Sequence, residues 1–202
     1  VRLHRFEAFE DFPQRVKWSA VDHLIVVSDY FKDLAVSRFG VPEHIVQVVP
    51  QYVDTADFDR PKLARADFTV GLVGINAFSH KRPDRAIEFI DKLRRRDPRF
   101  RLRVRSQLPW EYKWVWQDRP VERQAFMHLF QQCLASPLRE HVQFDRAGPD
   151  MAEWFRSVSV ILSSSDTEGC HTSVAEGMAS GCVPVCYAWP GAASVYGADF
   201  VH

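Results

Sequence analysis

No stretch of this 202-residue sequence reaches the roughly 18 consecutive apolar residues that a membrane helix needs. Cysteine is scarce, with four positions and no Cys-x-x-Cys pair, which excludes a disulfide scaffold and a structural zinc pattern. Neither a Gly-x-Gly-x-x-Gly fingerprint nor a Walker A lysine motif is present. Their absence argues against a dinucleotide dehydrogenase and a P-loop NTPase. Charge of one sign is lacking too. Lys plus Arg is 26 and Asp plus Glu is 26, whereas a dedicated nucleic-acid binder is usually strongly basic. There is no internal repeat, no low-complexity segment, and no basic stretch leading into an apolar run that would read as a signal peptide. The chain opens at Val1 without a Met and closes on Asp199–His202, which reads as a strand cut short. Both ends are expected to be boundaries within a longer protein.

What is present is a globular composition, with 46% hydrophobic residues. The length suits one domain and a fraction, at about 150 residues per domain. Charge is uneven along the chain: residues 80–123 carry 14 basic and 7 acidic side chains, the one part where composition favours anions. Short Val- and Ile-rich runs are expected as buried strands at 24–27, 46–49, 69–73, 102–104, 142–144, 158–162 and 183–186. Helical spacing predicts helices at 29–39 with Gly40 as stop, after Pro83 through Leu93, at 119–136, and at 172–180 before Gly181. Strands alternating with helices imply βαβ units and a doubly covered, Rossmann-like parallel sheet, an α/β fold. Pro50 to Asp54 is the best boundary, ahead of a polar, irregular stretch at 57–67.

The segment richest in chemistry is Ser163–Gly181, which follows a strand and runs into a helix. In a parallel sheet that position is the carboxyl edge, where ligands bind. A helix opening near Thr172 presents free N–H groups and a positive dipole end, and Thr172 and Ser173 add hydroxyls. Glu168 lies before the turn and Glu176 inside the helix. Main-chain donors for a diphosphate beside a carboxylate for ribose hydroxyls suit a nucleotide sugar. An ordinary strand–turn–helix with solvated glutamates is the plainer alternative.

The Glu-x7-Glu spacing, followed by Gly177-Met178-Ala179-Ser180-Gly181-Cys182-Val183-Pro184-Val185, resembles the donor-site signature of retaining GT-B glycosyltransferases of family 4. Gly177 stands where that family usually has Ala. Upstream, Val70-Gly71-Leu72-Val73-Gly74 and Lys81-Arg82-Pro83 resemble its first strand, glycine loop and lysine-bearing helix start. Ile75 stands where the family often has Arg, so Arg82 is taken as the substitute cation. Val26 through Phe58 resembles the crossover between two domains, and Val1-Arg2-Leu3-His4 a late strand ending in a His near the donor sugar. The resemblance covers nearly the whole chain. It implies that residues 1–49 are the tail of an N-terminal domain and 50–202 a C-terminal nucleotide-sugar domain, truncated at its end.

The resemblance further implies transfer of a hexosyl unit from a UDP or GDP sugar to a hydroxyl acceptor, a sugar or lipid-linked glycan, with retention. Glu168, Lys81 and His4 are the implied catalytic set. Gly74, Lys81, Arg82, Glu168, Gly169, Cys170, His171, Thr172, Ser173 and Glu176 are the implied donor-binding set, with Glu176 on the ribose. No metal or cofactor and no nucleic acid is implied. The expected location is the cytoplasm, with contact at the inner membrane face if the acceptor is lipid-linked. The missing half of the cleft implies that this chain alone has little transferase activity.

Two further runs carry competing readings. Trp110, Tyr112, Trp114 and Trp116 alternate as strand-like or loop-like packing, or as a stacking platform for bases or sugars. Seven arginines between 94 and 105 suit a helix C-terminus followed by a strand with one exposed face, or a grip on anionic lipid heads or nucleic acid. The rival functions are a GT-B nucleotide-sugar epimerase and a non-catalytic carbohydrate- or lipid-binding module.

Overall fold

The computed structural model describes residues 1–135 and 137–202. Among these, seven strands form two parallel sheets. The first is small: β1 (Leu24–Val26) pairs with β2 (Val46–Val48), Ile25 opposite Gln47. The second holds β3 (Thr69–Val73), β4 (Arg101–Ser106), β5 (Val142–Arg146), β6 (Val160–Ser163) and β7 (Val183–Cys186) in the order β5-β4-β3-β6-β7. The expected α/β class with a parallel, helix-covered sheet is what the chain forms.

The helices are α1 (Arg5–Ala8), α2 (Asp29–Phe39), α3 (Thr55–Phe58), α4 (Phe78–Lys81) and α5 (Pro83–Arg96), then α6 (Lys113–Trp116), α7 (Pro120–Leu134), α8 (Met151–Phe155), α9 (Thr172–Ala179) and α10 (Ala192–Tyr196). Helix α5 shows why the sequence folds this way. Pro83 fills a first-turn position that needs no N–H, Ala86, Ile87 and Ile90 face the core, and Arg94–Arg96 close the last turn where the dipole favours cations.

Side chains alternate across each strand, so the large sheet has two apolar faces. Val70, Leu72, Leu102 and Leu162 pack with α5 and α7 through Ile90 and Phe126. Ile161 points the other way, into a cluster with Trp154, Phe155, Val174 and Tyr196. A separate cluster under the small sheet gathers Trp18, Leu24, Val26 and Phe31.

Several boundaries differ from expectation. The run at 158–162 begins as a strand only at Val160, because Val158 still belongs to the turn leaving α8, its N–H donating to Phe155 O. The strand at 102–104 extends from 101 to 106, and the one at 142–144 to Arg146, because β4 and β5 pair as far as Ser106 opposite Arg146. The helix at 119–136 runs from Pro120 to Leu134, and Ser136 lies outside the described residues. The tryptophan run is neither strand nor loop: a 3-10 turn at Pro109–Glu111 leads into α6. The chain end forms a 3-10 turn at Ala198–Phe200 and a single bridge, Val201 to Cys186, not a strand. The stretch at 57–67 is irregular as expected apart from its ends, where α3 finishes at Phe58 and a 3-10 turn begins at Ala66.

Candidate active site

The sheet order itself locates a crevice. From β3 the chain winds outward through β4 to β5, then returns to the other side of β3 with β6. In such open sheets the loops leaving the two strands at this reversal diverge, and a ligand fits between them. Here those loops are 74–77 after β3 and 164–171 after β6. Gly74 opens the first in the left-handed region at φ 75°, which glycine tolerates. The second ends at His171, a non-glycine residue at φ 43°, directly before α9.

Helix α4 sits over this crevice. Lys81 is its last residue, where the dipole favours a cation, and not the start of a helix as the sequence suggested. Arg82 follows in the left-handed region, at φ 47°, and hinges α4 to α5. Two ties hold the hinge to the second loop: Asp166 N–H donates to His80 O at 2.7 Å, and Ser164 Oγ donates to Lys81 O at 2.9 Å.

Lys81 Nζ donates to Glu168 Oε1 at 2.6 Å, and Ser165 Oγ donates to the same oxygen at 2.6 Å. The lysine side chain is 17% exposed and the glutamate 7%. Burial alone would raise the Glu168 pKa. His171 in acid, Lys81 and the Ser165 hydroxyl outweigh burial and hold it down at about 2. His171 is buried, its Nδ1 hydrogen-bonded to Ser163 Oγ at 2.6 Å, and burial depresses its pKa to about 4. It is therefore neutral at pH 7, when Lys81 is the cation in contact with Glu168. Tyr196 donates its hydroxyl to the Cys170 carbonyl and, at 2.9 Å, to that of His171. The turn is thus braced from below.

These groups border a cleft of about 550 Å³. His4, Lys81, Glu168, Gly169, Cys170, His171 and Thr172 all line it, so seven of the anticipated residues converge from three stretches of chain. Four do not. Gly74 lines a neighbouring hollow of about 230 Å³, which shares Asn76 with the cleft. Ser173 is buried, with no partner for its Oγ among the described residues. Glu176 sits half-buried one turn into α9, and burial raises its pKa. Arg82 is committed elsewhere, its guanidinium bound to Asp84 at 2.7 Å and to Asp166 at 3.3 Å. It does not line the cleft.

No family model matches the sequence, and no curated protein matches it. Solved structures do match by shape. TarM superposes on the whole chain with a TM-score of 0.72 at 14% identity, over 39% of its own length. Anabaena Alr3699/HepE in complex with UDP and glucose matches 96% of the chain at TM-score 0.68 and 16% identity, over 53% of its length. A glycosyltransferase from Rickettsia africae matches 91% at TM-score 0.68 and 16% identity, over 49% of its length. The chain has the fold of these glycosyltransferases. It spans about two-fifths to one-half of their length.

Cleft residues that sequence reasoning missed include several from the first stretch of chain. Arg2, Arg5 and Phe6 line it beside His4, with Gln51 from the segment after β2. Adjacency to His4 was the available signal. His80, next to Lys81, also lines it, and its pKa is depressed to about 4 by burial and by Arg5 and Lys81.

The tryptophan run divides. Trp110 packs on Trp116 and Phe130, whereas Trp114 turns into the cleft with Arg119 over its ring at 5.4 Å. The arginine run is largely paired internally, Arg103 with Asp145 at 2.7 Å, Arg105 with Asp150, and Arg94 and Arg95 with Asp91. Arg96 and Arg101 are exposed and in no ion pair with the described residues. Among the described residues no helix is long and apolar enough to cross one. Also among them, no three His, Cys, Asp or Glu side chains converge as a metal site.

Proposed function

We propose that this chain is the donor-binding part of a retaining glycosyltransferase that takes a nucleoside diphosphate sugar and passes its hexosyl unit to a hydroxyl acceptor. In this reading residues 1–49 are the tail of the N-terminal domain and residues 50–202 the nucleotide-sugar domain. The observation that carries it is the Lys81–Glu168 pair at the mouth of α9, at the reversal point of the sheet. Lys81 and the helix N-terminus favour the diphosphate, and Glu168 offers fixed acceptor lone pairs to sugar hydroxyls. Glu176 accepts from the ribose, and its raised pKa reflects an acceptor buried without a donor.

Retention follows if the acceptor oxygen attacks on the face the diphosphate leaves. The bond from the anomeric carbon to the phosphate oxygen breaks, the bond to the acceptor oxygen forms, and the acceptor's proton passes to the departing phosphate. The protein's share is positioning and stabilisation of charge on the leaving group. UDP is the first nucleotide to test, because Alr3699/HepE is described with UDP and with UDP-glucose. A cytoplasmic location belongs to the same reading, as does a sugar or lipid-linked acceptor.

Calorimetric titration with UDP, GDP and ADP tests it. One nucleotide is expected to bind, and Glu176→Ala to weaken it. Absence of binding by the unmodified chain to all of them would refute the donor-site reading. The purified chain is expected to show little turnover, since an acceptor side is needed to close the cleft.

A further inference from the structure

We infer that Arg5, contributed by the segment before β1, is the second cation of the diphosphate subsite, acting with Lys81 across the cleft. The inference rests on the donor-site reading above and deepens it. A diphosphate bears a negative charge on each phosphate, whereas Lys81 is already neutralised by Glu168 at 2.6 Å. A further positive group has to face the ligand. The position after Gly74 cannot supply it, because Ile75 is buried in the core and its N–H is taken by Ser106 Oγ at 3.0 Å. Arg82 is held by Asp84 and Asp166, and Arg85 by Asp166 at 2.6 Å. Neither lines the cleft.

Arg5 does line it. Its Nε donates to Thr167 Oγ1 at 3.0 Å and to Thr167 O at 3.1 Å, and Nη2 also donates to Thr167 Oγ1. One edge of the guanidinium is thereby fixed to the turn that leads into α9. Nη1 donates to no described residue and remains for a ligand oxygen. The turn touches Arg5 directly: a Cβ placed on Gly169 would lie 3.7 Å from Arg5 Cβ. Arg5 and Lys81 thus approach Glu168 from different stretches of chain, Arg5 within its field and Lys81 in contact. Arg2 also borders the cleft, but it is exposed at the rim and bound to Gln51 Oε1 at 3.1 Å. A planar guanidinium anchored on one edge suits phosphate better than a free lysine.

The test is calorimetry on the 202-residue chain with UDP, GDP, ADP, inorganic pyrophosphate and the matching nucleosides. Arg5→Ala is expected to weaken the preferred nucleoside diphosphate at least tenfold and to leave its nucleoside unchanged. Arg5→Gln keeps a donor for Thr167 without the charge and is expected to lose the same tenfold while melting at the wild-type temperature. Arg5→Lys recovers part of the affinity. If the wild type binds a nucleoside diphosphate and Arg5→Gln binds it equally well, the Arg5 assignment is wrong and the donor-site reading stands. If the wild type binds none of the diphosphates, both fall.

Discussion

Glu168 and Glu176 stand eight residues apart on one strand–turn–helix segment, yet they are held in opposite electrostatic states. Glu168 is nearly inaccessible and still strongly acidic, because Lys81 and Ser165 both donate to its Oε1. Glu176 is less buried and less acidic than an ordinary glutamate, because burial acts on it unopposed. The difference teaches that burial does not decide the charge of a carboxylate; its donors do. It also separates two roles. Glu168 is preassembled by the protein. In the proposed reading, Glu176 is an acceptor whose donors come from the ligand.

The sharpest way to break the comparison is to take the donor partner's counter-charge away. Glu168→Gln leaves Lys81 buried without a balancing charge and is expected to cost about 3 kcal/mol of stability in urea unfolding. A Lys81→Met, Glu168→Gln double variant should recover much of that loss, since both charges leave together. Equal loss in single and double variants would show that the pair is not coupled.

Glu176→Gln should behave the other way round. Stability is expected to be unchanged or slightly higher, because an uncompensated buried carboxylate is gone. Nucleotide binding should weaken by about 1–3 kcal/mol, as for the loss of a charged hydrogen bond. An unchanged dissociation constant would remove the ribose assignment.

The pH dependence of stability sharpens the contrast. His80 and His171 are depressed from 6.5 to about 4, so their contribution is present above 6.5 and lost as pH falls toward 4. Glu168, depressed from 4.5 to about 2, adds a further loss as pH falls from 4.5 toward 2. Glu176 is raised, so it favours the fold in acid and that share is lost as pH rises through its folded pKa. Urea midpoints across pH should therefore fall in two stages on acidification. His80→Asn should flatten the upper stage and Glu168→Gln the lower.

The smallest expected effect concerns the residue after Glu176. A Cβ on Gly177 would lie 2.7 Å from Ile161 Cγ2 on β6. Gly177→Ala gains about 1 kcal/mol of helix propensity but overpacks the helix–strand contact by about 1–3 kcal/mol. A net loss near 1 kcal/mol is expected in thermal unfolding. A rise in stability would mean that α9 can shift on the sheet. What looked in sequence like a small-for-small exchange is a steric requirement of this core.

Much of the site was legible because it is local. The turn from Ser163 to Thr172 carries its strand, its anion-favouring helix mouth and Glu168 in one continuous segment, so spacing alone announced it. Lys81 was legible as a residue type but not as a partner. Its pairing with Glu168 crosses 87 residues and depends on β3 and β6 lying side by side. The pairing of Arg82 was hidden for the same reason: Asp84 lies close in sequence, but Asp166 reaches it only through the fold. Arg5 gave no signal beyond standing next to His4, since its anchor Thr167 is 162 residues away.

By itself the sequence determined the alternation of strands and helices, the parallel sheet, and the position of the strand–turn–helix that bears both glutamates. These follow from hydrophobic period, proline and glycine punctuation, and helix-end preferences, all of which act over a few residues. The tertiary structure alone decided which charges meet. Reversal of strand order at β3 brings α4 and the Glu168 turn together, and the first residues of the chain line the same cleft. Burial and pairing then set Glu168 and Glu176 apart, because a carboxylate's charge depends on the donors within a few ångströms and not on its neighbours along the chain.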